Sequence, residues 1–383
     1  MAGAWLLGTE ADAARAPAKA VLVAVREEED AGAPGTELSL AELRRLADTD
    51  GLDIVEQVVQ VRGRPDPATY VGSGKADELA ATALRADADL VIADGELSPR
   101  QARTLEERVG VRVVDRTALI LDIFAQHARS SEGRLQVELA QIAYQLPRLR
   151  GQGQALSRVG GGRVAGGAGI GVRGPGEMRL ETQRRKLRQR AGSLRRRVAE
   201  LAKRRERTRD RRARNRVPSV AITGYTNAGK SALLNRLAGA RAGSADVLFA
   251  TLDPTVRRID AEGATLTVTD TVGFVRHLPH QLVDAFGSTL EEVRHADLVL
   301  HVADASAPDA LDQITTVHGV LHEIDAGEVP ELLVLNKTDI APPEWVAALR
   351  RAHPEAVPVS ALTGDGVEEL RNRLAAWAGS HHR

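Results

Sequence analysis

Short apolar runs alternating with stretches of helical spacing occupy both ends of this chain, and a long, highly charged stretch lies between them. In the first part, Ala20–Val25, Asp53–Val61, Ala88–Ala93 and Val111–Val114 read as strands. Between them Leu38–Ala47, Lys75–Leu84 and Pro99–Val109 place apolar residues three and four apart, the period of a helix with one buried face. Such alternation predicts a small α/β domain with a largely parallel sheet. The same pattern resumes near Val217, with strands expected at Ser219–Thr223, Val256–Ile259, Thr265–Asp270, Leu298–Ala303, Leu332–Leu335 and Val357–Val359. Gly263 supplies a hairpin turn between the second and third of these, and helices separate the rest, which predicts a doubly wound α/β sheet.

The middle reads as an antiparallel, coiled-coil helical hairpin. Leu135, Leu139, Ile142, Leu146 and Leu149 fall on one helical stripe, and Pro147 is placed to end or kink that helix. Residues 151–176 carry too many glycines for a packed core and are expected to form a flexible loop. Leu180, Leu187, Leu194 and Leu201 then recur every seven residues, one leucine per heptad, as suits a two-helix seam. The expected domains are therefore 1–117, 118–216 and 217–383, in keeping with a length of 383 residues.

Charge sharpens this division. The net charge is zero, yet residues 148–216 hold 23 Lys and Arg against 5 Asp and Glu. A cluster so dense repels itself unless a polyanion or salt screens it, which marks the hairpin as a candidate nucleic-acid contact. Few aromatics accompany the arginines, so phosphate contact is expected rather than base stacking, with Arg158, Arg163 and Arg173 in the loop free to follow a phosphate backbone. A chain without cysteine forms no disulfide and no thiolate metal site, which suits a reducing cytoplasm. No apolar run approaches the roughly 20 residues of a membrane span, so stable membrane insertion is not expected.

The chemistry concentrates in the third region. Gly224-Tyr225-Thr226-Asn227-Ala228-Gly229-Lys230-Ser231 follows a strand and opens a helix, the spacing and context of a phosphate-binding loop. Its bare amides and helix N-terminus would face phosphates, Lys230 would reach the outer two, and Ser231 would give a hydroxyl to Mg2+. Phe249-Ala250-Thr251-Leu252-Asp253 lies where a first switch segment belongs, and either Thr251 or Thr255 could complete the metal shell while a γ-phosphate is present. Asp270-Thr271-Val272-Gly273 ends a strand, where Asp270 can hold magnesium through water and the Gly273 amide can meet the γ-phosphate. Phe274 stands where many such enzymes carry a water-orienting glutamine, so turnover by the isolated protein is expected to be slow. Asn336-Lys337-Thr338-Asp339 selects guanine, because the Asp339 carboxylate matches the N1–H and exocyclic amine that adenine lacks. Ser360-Ala361-Leu362 offers an amide to guanine O6. His318 and His322 lie four apart, but no third ligand accompanies them, and a zinc site is not expected. Tyr70-Val71-Gly72-Ser73-Gly74-Lys75 lacks phosphate-loop spacing and reads as a turn capping the next helix.

Taken together, Gly224–Ser231, Phe249–Asp253, Asp270–Phe274 and Asn336–Asp339 resemble the HflX family of bacterial GTPases. Gly174-Pro175-Gly176-Glu177 with Leu180-Glu181, and the Tyr70–Lys75 segment, extend the resemblance over nearly the whole chain. It favours Thr251 over Thr255 as the switch threonine. It also implies a cytoplasmic GTPase, expected to be a monomer, that binds GTP and GDP and associates with the large ribosomal subunit and its rRNA, splitting or rescuing stalled ribosomes. Residues 151–171 depart from the family pattern as an unusually long and glycine-rich insertion. A ribosome-assembly GTPase and an RNA-binding module with incidental hydrolysis are the rival readings.

Overall fold

A computed structural model describes residues 17–26, 35–149, 175–214, 217–239, 248–249, 251–261, 264–276 and 287–381. The expected loop at 151–176 lies almost wholly outside them, as do Ala250, Arg158, Arg163, Arg173 and the hairpin glycine Gly263. The chain divides into two compact units, one formed by residues up to 126 together with 135–198, the other by 127–134 together with 199–383.

In the first unit, β1 (Lys19–Arg26), β2 (Asp53–Val61), β3 (Leu90–Ala93) and β4 (Arg112–Asp115) form a parallel sheet in the order β2-β1-β3-β4. A parallel sheet covered on both faces needs uninterrupted apolar strands, and residues 20–24 of β1 and all of β3 are buried. Helices α1 (Gly35–Thr49), α2 (Ser73–Arg85) and α3 (Pro99–Val109) connect them. Helix α3 has the bounds its sequence predicts because both ends are marked. Ser98 and Gln101 form a reciprocal capping box with Pro99 in the first turn, and Gly110 closes the helix at φ 82°. Gly72, in the segment that mimics a phosphate loop, is the N-cap of α2 and donates its amide to Gln60 at 2.7 Å.

Helix α4 (Arg116–His127) spans residue 117, where the first domain is expected to end, and the first segment of this unit runs to 126. Residues 116–124 are buried all round, so no amphipathic stripe betrays the helix. At its head Arg116 is enclosed, bonding Glu42 at 2.7 Å, Asp94 at 2.6 Å and Ser39 Oγ at 2.9 Å.

Two longer helices follow, α5 (Ser131–Arg148) and α6 (Pro175–Arg214). Pro147 sits in the last turn of α5, and the helix ends one residue later, as expected of a residue that removes an amide and crowds the preceding turn. Leu135 and Ile142 of the expected stripe are buried. A second buried row, Val137, Ala140 and Tyr144, is directed at the sheet, where the Tyr144 hydroxyl donates to Asp115 at 2.9 Å beside Arg148 at 2.8 Å.

The second unit holds a six-stranded sheet in the order β10-β9-β8-β5-β7-β6. Its strands are β5 (Ser219–Gly224), β6 (Thr255–Ala261), β7 (Ala264–Asp270), β8 (Leu298–Asp304), β9 (Glu331–Asn336) and β10 (Val357–Pro358). Only the β6–β7 hairpin is antiparallel. Helices α7 (Lys230–Leu237), α8 (Gly287–Arg294), α9 (Ala310–Glu323), α10 (Pro343–Ala352) and α11 (Val367–His381) complete it. Alternate residues of β8 serve different cores: Leu298, Leu300 and Val302 pack with α7 and α11, Ala303 with α9 and α10. Strand β5 lies between β7 and β8, and the crevice beyond its carboxyl end is where ligands bind such sheets.

Removing Arg116 leaves two buried carboxylates without their cation. Arg116→Ala is expected to destabilise the first unit by about 3–5 kcal/mol, read as a lowered urea midpoint of that unit's transition.

Candidate functional site

The turn between β5 and α7 is shaped by two positions without room for a side chain and a third in a left-handed conformation. A Cβ on Gly224, at φ 144°, would strike the Val302 carbonyl, and one on Gly229, at φ 90°, would strike the Asn336 amide. Asn227 adopts φ 62°, a left-handed conformation that asparagine tolerates better than most residues. Gly229 caps α7 without any side-chain bond to the helix's first amides, which leaves those donors for a ligand. Lys230 is buried and donates to the Tyr225 carbonyl at 2.8 Å. Burial pulls its ammonium down to about 8 against the pull of Asp270, so an added polyanion would favour the charged form.

Three hydroxyl and carboxylate groups from separate segments meet beside this turn. Ser231 Oγ donates to Asp270 Oδ2 at 2.6 Å, Thr251 Oγ1 donates to the same oxygen at 2.8 Å, and the two hydroxyls lie 2.8 Å apart. Thr255, the rival switch threonine, is exposed at the start of β6, paired with Asp270 through the strand register. The other carboxylate oxygen of Asp270 is buried without a hydrogen-bond partner. An all-oxygen cluster with an orphaned carboxylate oxygen is the donor set a hard divalent cation takes, so these residues fit magnesium. Gly273 closes the cluster, since a Cβ there would come within 2.8 Å of Lys230 Nζ. Thr271 is buried and donates to the Ile222 carbonyl at 2.7 Å, and Val272 is also buried.

The Asn336–Asp339 segment, where base selection is expected, is tied to the glycine-rich turn. Asn336 donates through Nδ2 to the Ala228 carbonyl at 2.8 Å and accepts from the Ala361 amide at 2.9 Å. One side chain thus joins the turn, the Asn336–Asp339 segment and the Ser360–Leu362 segment. Lys337 stands at φ 63° and pairs with Asp304 at 2.7 Å, Thr338 bonds the Val359 carbonyl, and Asp339 is exposed. Arg236 holds the carbonyls of Ala361 and Leu362.

Comparison with known proteins agrees with this geometry. Residues 37–125 match the family model described as GTP-binding GTPase N-terminal, 127–212 the GTP-binding GTPase Middle Region, and 219–337 the 50S ribosome-binding GTPase. The chain is similar to the GTPase HflX of Caldanaerobacter subterraneus subsp. tengcongensis, 48% identical over 337 residues, covering 88% of this chain and 76% of that one. The GTPase HflX of Escherichia coli K12 is 45% identical over 339 residues, 88% and 78% of the two chains. The chain belongs to the HflX family of GTPases. Among solved structures, SsGBP in complex with GDP is similar at 25% identity and a TM-score of 0.50, over 95% of this chain and 99% of that one.

Family membership makes this chain a P-loop GTPase, and three of its contacts escape sequence reasoning. Phe274 is fully buried and exchanges backbone bonds with the phosphate turn, its carbonyl accepting from Thr226 at 2.7 Å and its amide donating to Gly224 at 3.1 Å. The Tyr225 hydroxyl accepts from the Arg276 amide at 2.7 Å. Asp253 turns its carboxylate to the backbone of Arg129 and Ser130, at 3.1 and 2.6 Å. Motifs list residues in order, and none of these partners is adjacent in the sequence.

The histidines regroup as well. His318 joins not His322 but His301 of β8 and Glu331 of β9, both of its bonds to the carboxylate being 3.0 Å and that of His301 2.7 Å. These three could gather at a metal, yet Glu331 is already satisfied by two imidazole nitrogens at hydrogen-bond distance. Burial alone would raise the Glu331 carboxyl, but the two imidazoles hold it down to about 2, while burial pushes His301 below its usual range. Both groups therefore bind protons more readily in the unfolded chain. Stability is expected to be full near pH 7 and to fall on acidification, through His301 below 6.5 and through Glu331 between 4.5 and about 2. Glu331→Gln is expected to cost about 1–3 kcal/mol at neutral pH and to flatten the acid limb, as read by urea unfolding across that range.

Proposed function

We propose that this GTPase is a nucleotide-driven switch acting in the cytoplasm on the large ribosomal subunit, where it splits or rescues stalled ribosomes. The observation that carries the reading is the joining of a phosphate site with a γ-phosphate-sensing threonine to a chain whose long helix α6 is arginine-rich. The match of residues 219–337 to the 50S ribosome-binding GTPase model supports the choice of partner.

The amides of the Gly224–Ser231 turn and Lys230 hold the β- and γ-phosphates. Ser231 and Thr251 would hold magnesium, with Asp270 supporting it through water, and the ion would draw negative charge from the phosphate oxygens. Thr251 makes that contact only with the triphosphate, and the Gly273 amide meets the γ-phosphate, so hydrolysis releases both segments. Asp339 accepts the two guanine donors, and the Ala361 amide, fixed by Asn336, meets O6. Phe274 offers the attacking water no polar atom, which supports low intrinsic turnover and completion of the site by the ribosome. Lys and Arg along α6, and Arg158, Arg163 and Arg173 beyond α5, contact rRNA phosphates.

Sedimentation with 50S subunits under a non-hydrolysable GTP analogue is expected to retain the wild-type chain and to lose one lacking residues 151–171. Turnover is expected to rise about 100-fold or more with mature subunits. Stimulation by precursor particles alone would favour an assembly factor, and equal stimulation by naked RNA an RNA-binding module. Asp339→Asn is expected to weaken GTP about 10–100-fold through mismatched guanine donors and to improve xanthosine triphosphate, as measured by competition binding.

A further inference from the structure

Asp253, two positions after Thr251, turns its carboxylate to residues far from it in the sequence. Both carboxylate oxygens of Asp253 are spent on the segment that enters α5. Oδ2 accepts from the amides of Arg129 and Ser130, and Oδ1 accepts from the Ser130 hydroxyl. That hydroxyl in turn accepts from the Gly133 amide at 2.8 Å, as an N-cap serine does in the first turn of a helix. Gly133 is without a side chain for a reason found across the contact, since a Cβ there would strike Asp253 Oδ1. A second tie lies close in sequence. Glu132 of α5 and Glu291 of α8 share Arg205 of α6, the latter bond being 3.0 Å. The foot of the helical hairpin is therefore held by residues that follow each switch segment, Asp253 after Thr251 and Glu291 after the Asp270–Phe274 strand end.

An anion at a helix N-terminus meets unpaired amides and the positive end of the helix dipole. If Thr251 is drawn toward a γ-phosphate and its metal, the backbone to Asp253 is only two residues long and cannot absorb the movement. We infer that Asp253 is a coupling residue, which converts the position of the Thr251 segment into the capping state of α5 and so passes the nucleotide state to the hairpin. The hairpin's charged loop follows α5 directly, so a change at residue 130 acts on the element that approaches the polyanion. The inference rests on Thr251 sensing the γ-phosphate, but not on the identity of the ribosomal partner.

Amide hydrogen exchange on the full chain tests it, comparing GDP with a non-hydrolysable GTP analogue. The amides of Arg129, Ser130 and Gly133 are expected to exchange on the order of tenfold more slowly in one nucleotide state than in the other. Gly133→Ala inserts a methyl group against Asp253 while improving the intrinsic helix propensity of α5. A merely structural α5 would gain protection from it in both states. The coupling predicts instead that the difference between states disappears at residues 129–133, with fluorescent-nucleotide affinity unchanged. Ser130→Ala, which removes one of the Asp253 bonds and the cap, is expected to shrink the difference without abolishing it. Switch amides of Leu252 and Gly273 that respond to the analogue while residues 129–133 do not would overturn the inference alone. Switch amides that do not respond would overturn it together with the sensing role of Thr251. A retained difference in both variants would also overturn it.

Discussion

Lys230 keeps a charge inside the protein on the strength of one carbonyl, that of Tyr225, and the field of Asp270. A buried ammonium with so little compensation titrates low, and a polyphosphate alongside would reverse that shift. Much of the second unit follows from making room for it. Gly273 must be bare because a Cβ would meet the ammonium, and Gly229 must be bare because the Asn336 amide crosses over it. Asn336 then has both ends committed, to Ala228 and to Ala361. The Asn336–Asp339 and Ser360–Leu362 segments are thereby fixed to the turn that holds Lys230.

The same crowding explains what Phe274 does. A residue at that position could face the attacking water, but here the ring is buried and the backbone on either side is bonded to Gly224 and Thr226. The phenyl group anchors the strand end that presents Gly273 and Asp270. The position of Gly273 and Asp270 is secured at the expense of a polar group for the water, an arrangement that would suit an enzyme switched on by a partner.

Legibility from the sequence followed locality. Helix α3 was readable to the residue because a capping box and a left-handed glycine mark its ends, and the phosphate turn because eight consecutive residues carry it. Helix α4 was not, since burial on all sides leaves no period to detect. Tyr144 was overlooked on α5 because the leucine stripe is the stronger signal, although the tyrosine makes the bond to Asp115. The trio of His301, His318 and Glu331 joins three elements, two of them adjacent strands, and only the sheet order brings it together. Asp253 lay inside a legible motif, but its partners stand over a hundred residues earlier.

Helix α6 poses the opposite problem to Lys230, many cations held at the surface with few anions. Arg184 meets Glu181 and Arg190 meets Glu138 at 2.6 Å, surface pairs that each contribute little, and Arg205 is shared between Glu132 and Glu291. They cannot offset the repulsion among 23 basic side chains spread over residues 148–216. The seam leucines Leu180 and Leu194 are buried and supply the cohesion that the charges oppose. A polyanion laid along the helix would relieve that repulsion, and the free energy released would add to binding without any base being read. Repulsion already present in the free protein would then contribute to affinity for such a partner, and a change at the foot of α5 would bear on how the charged helices meet it.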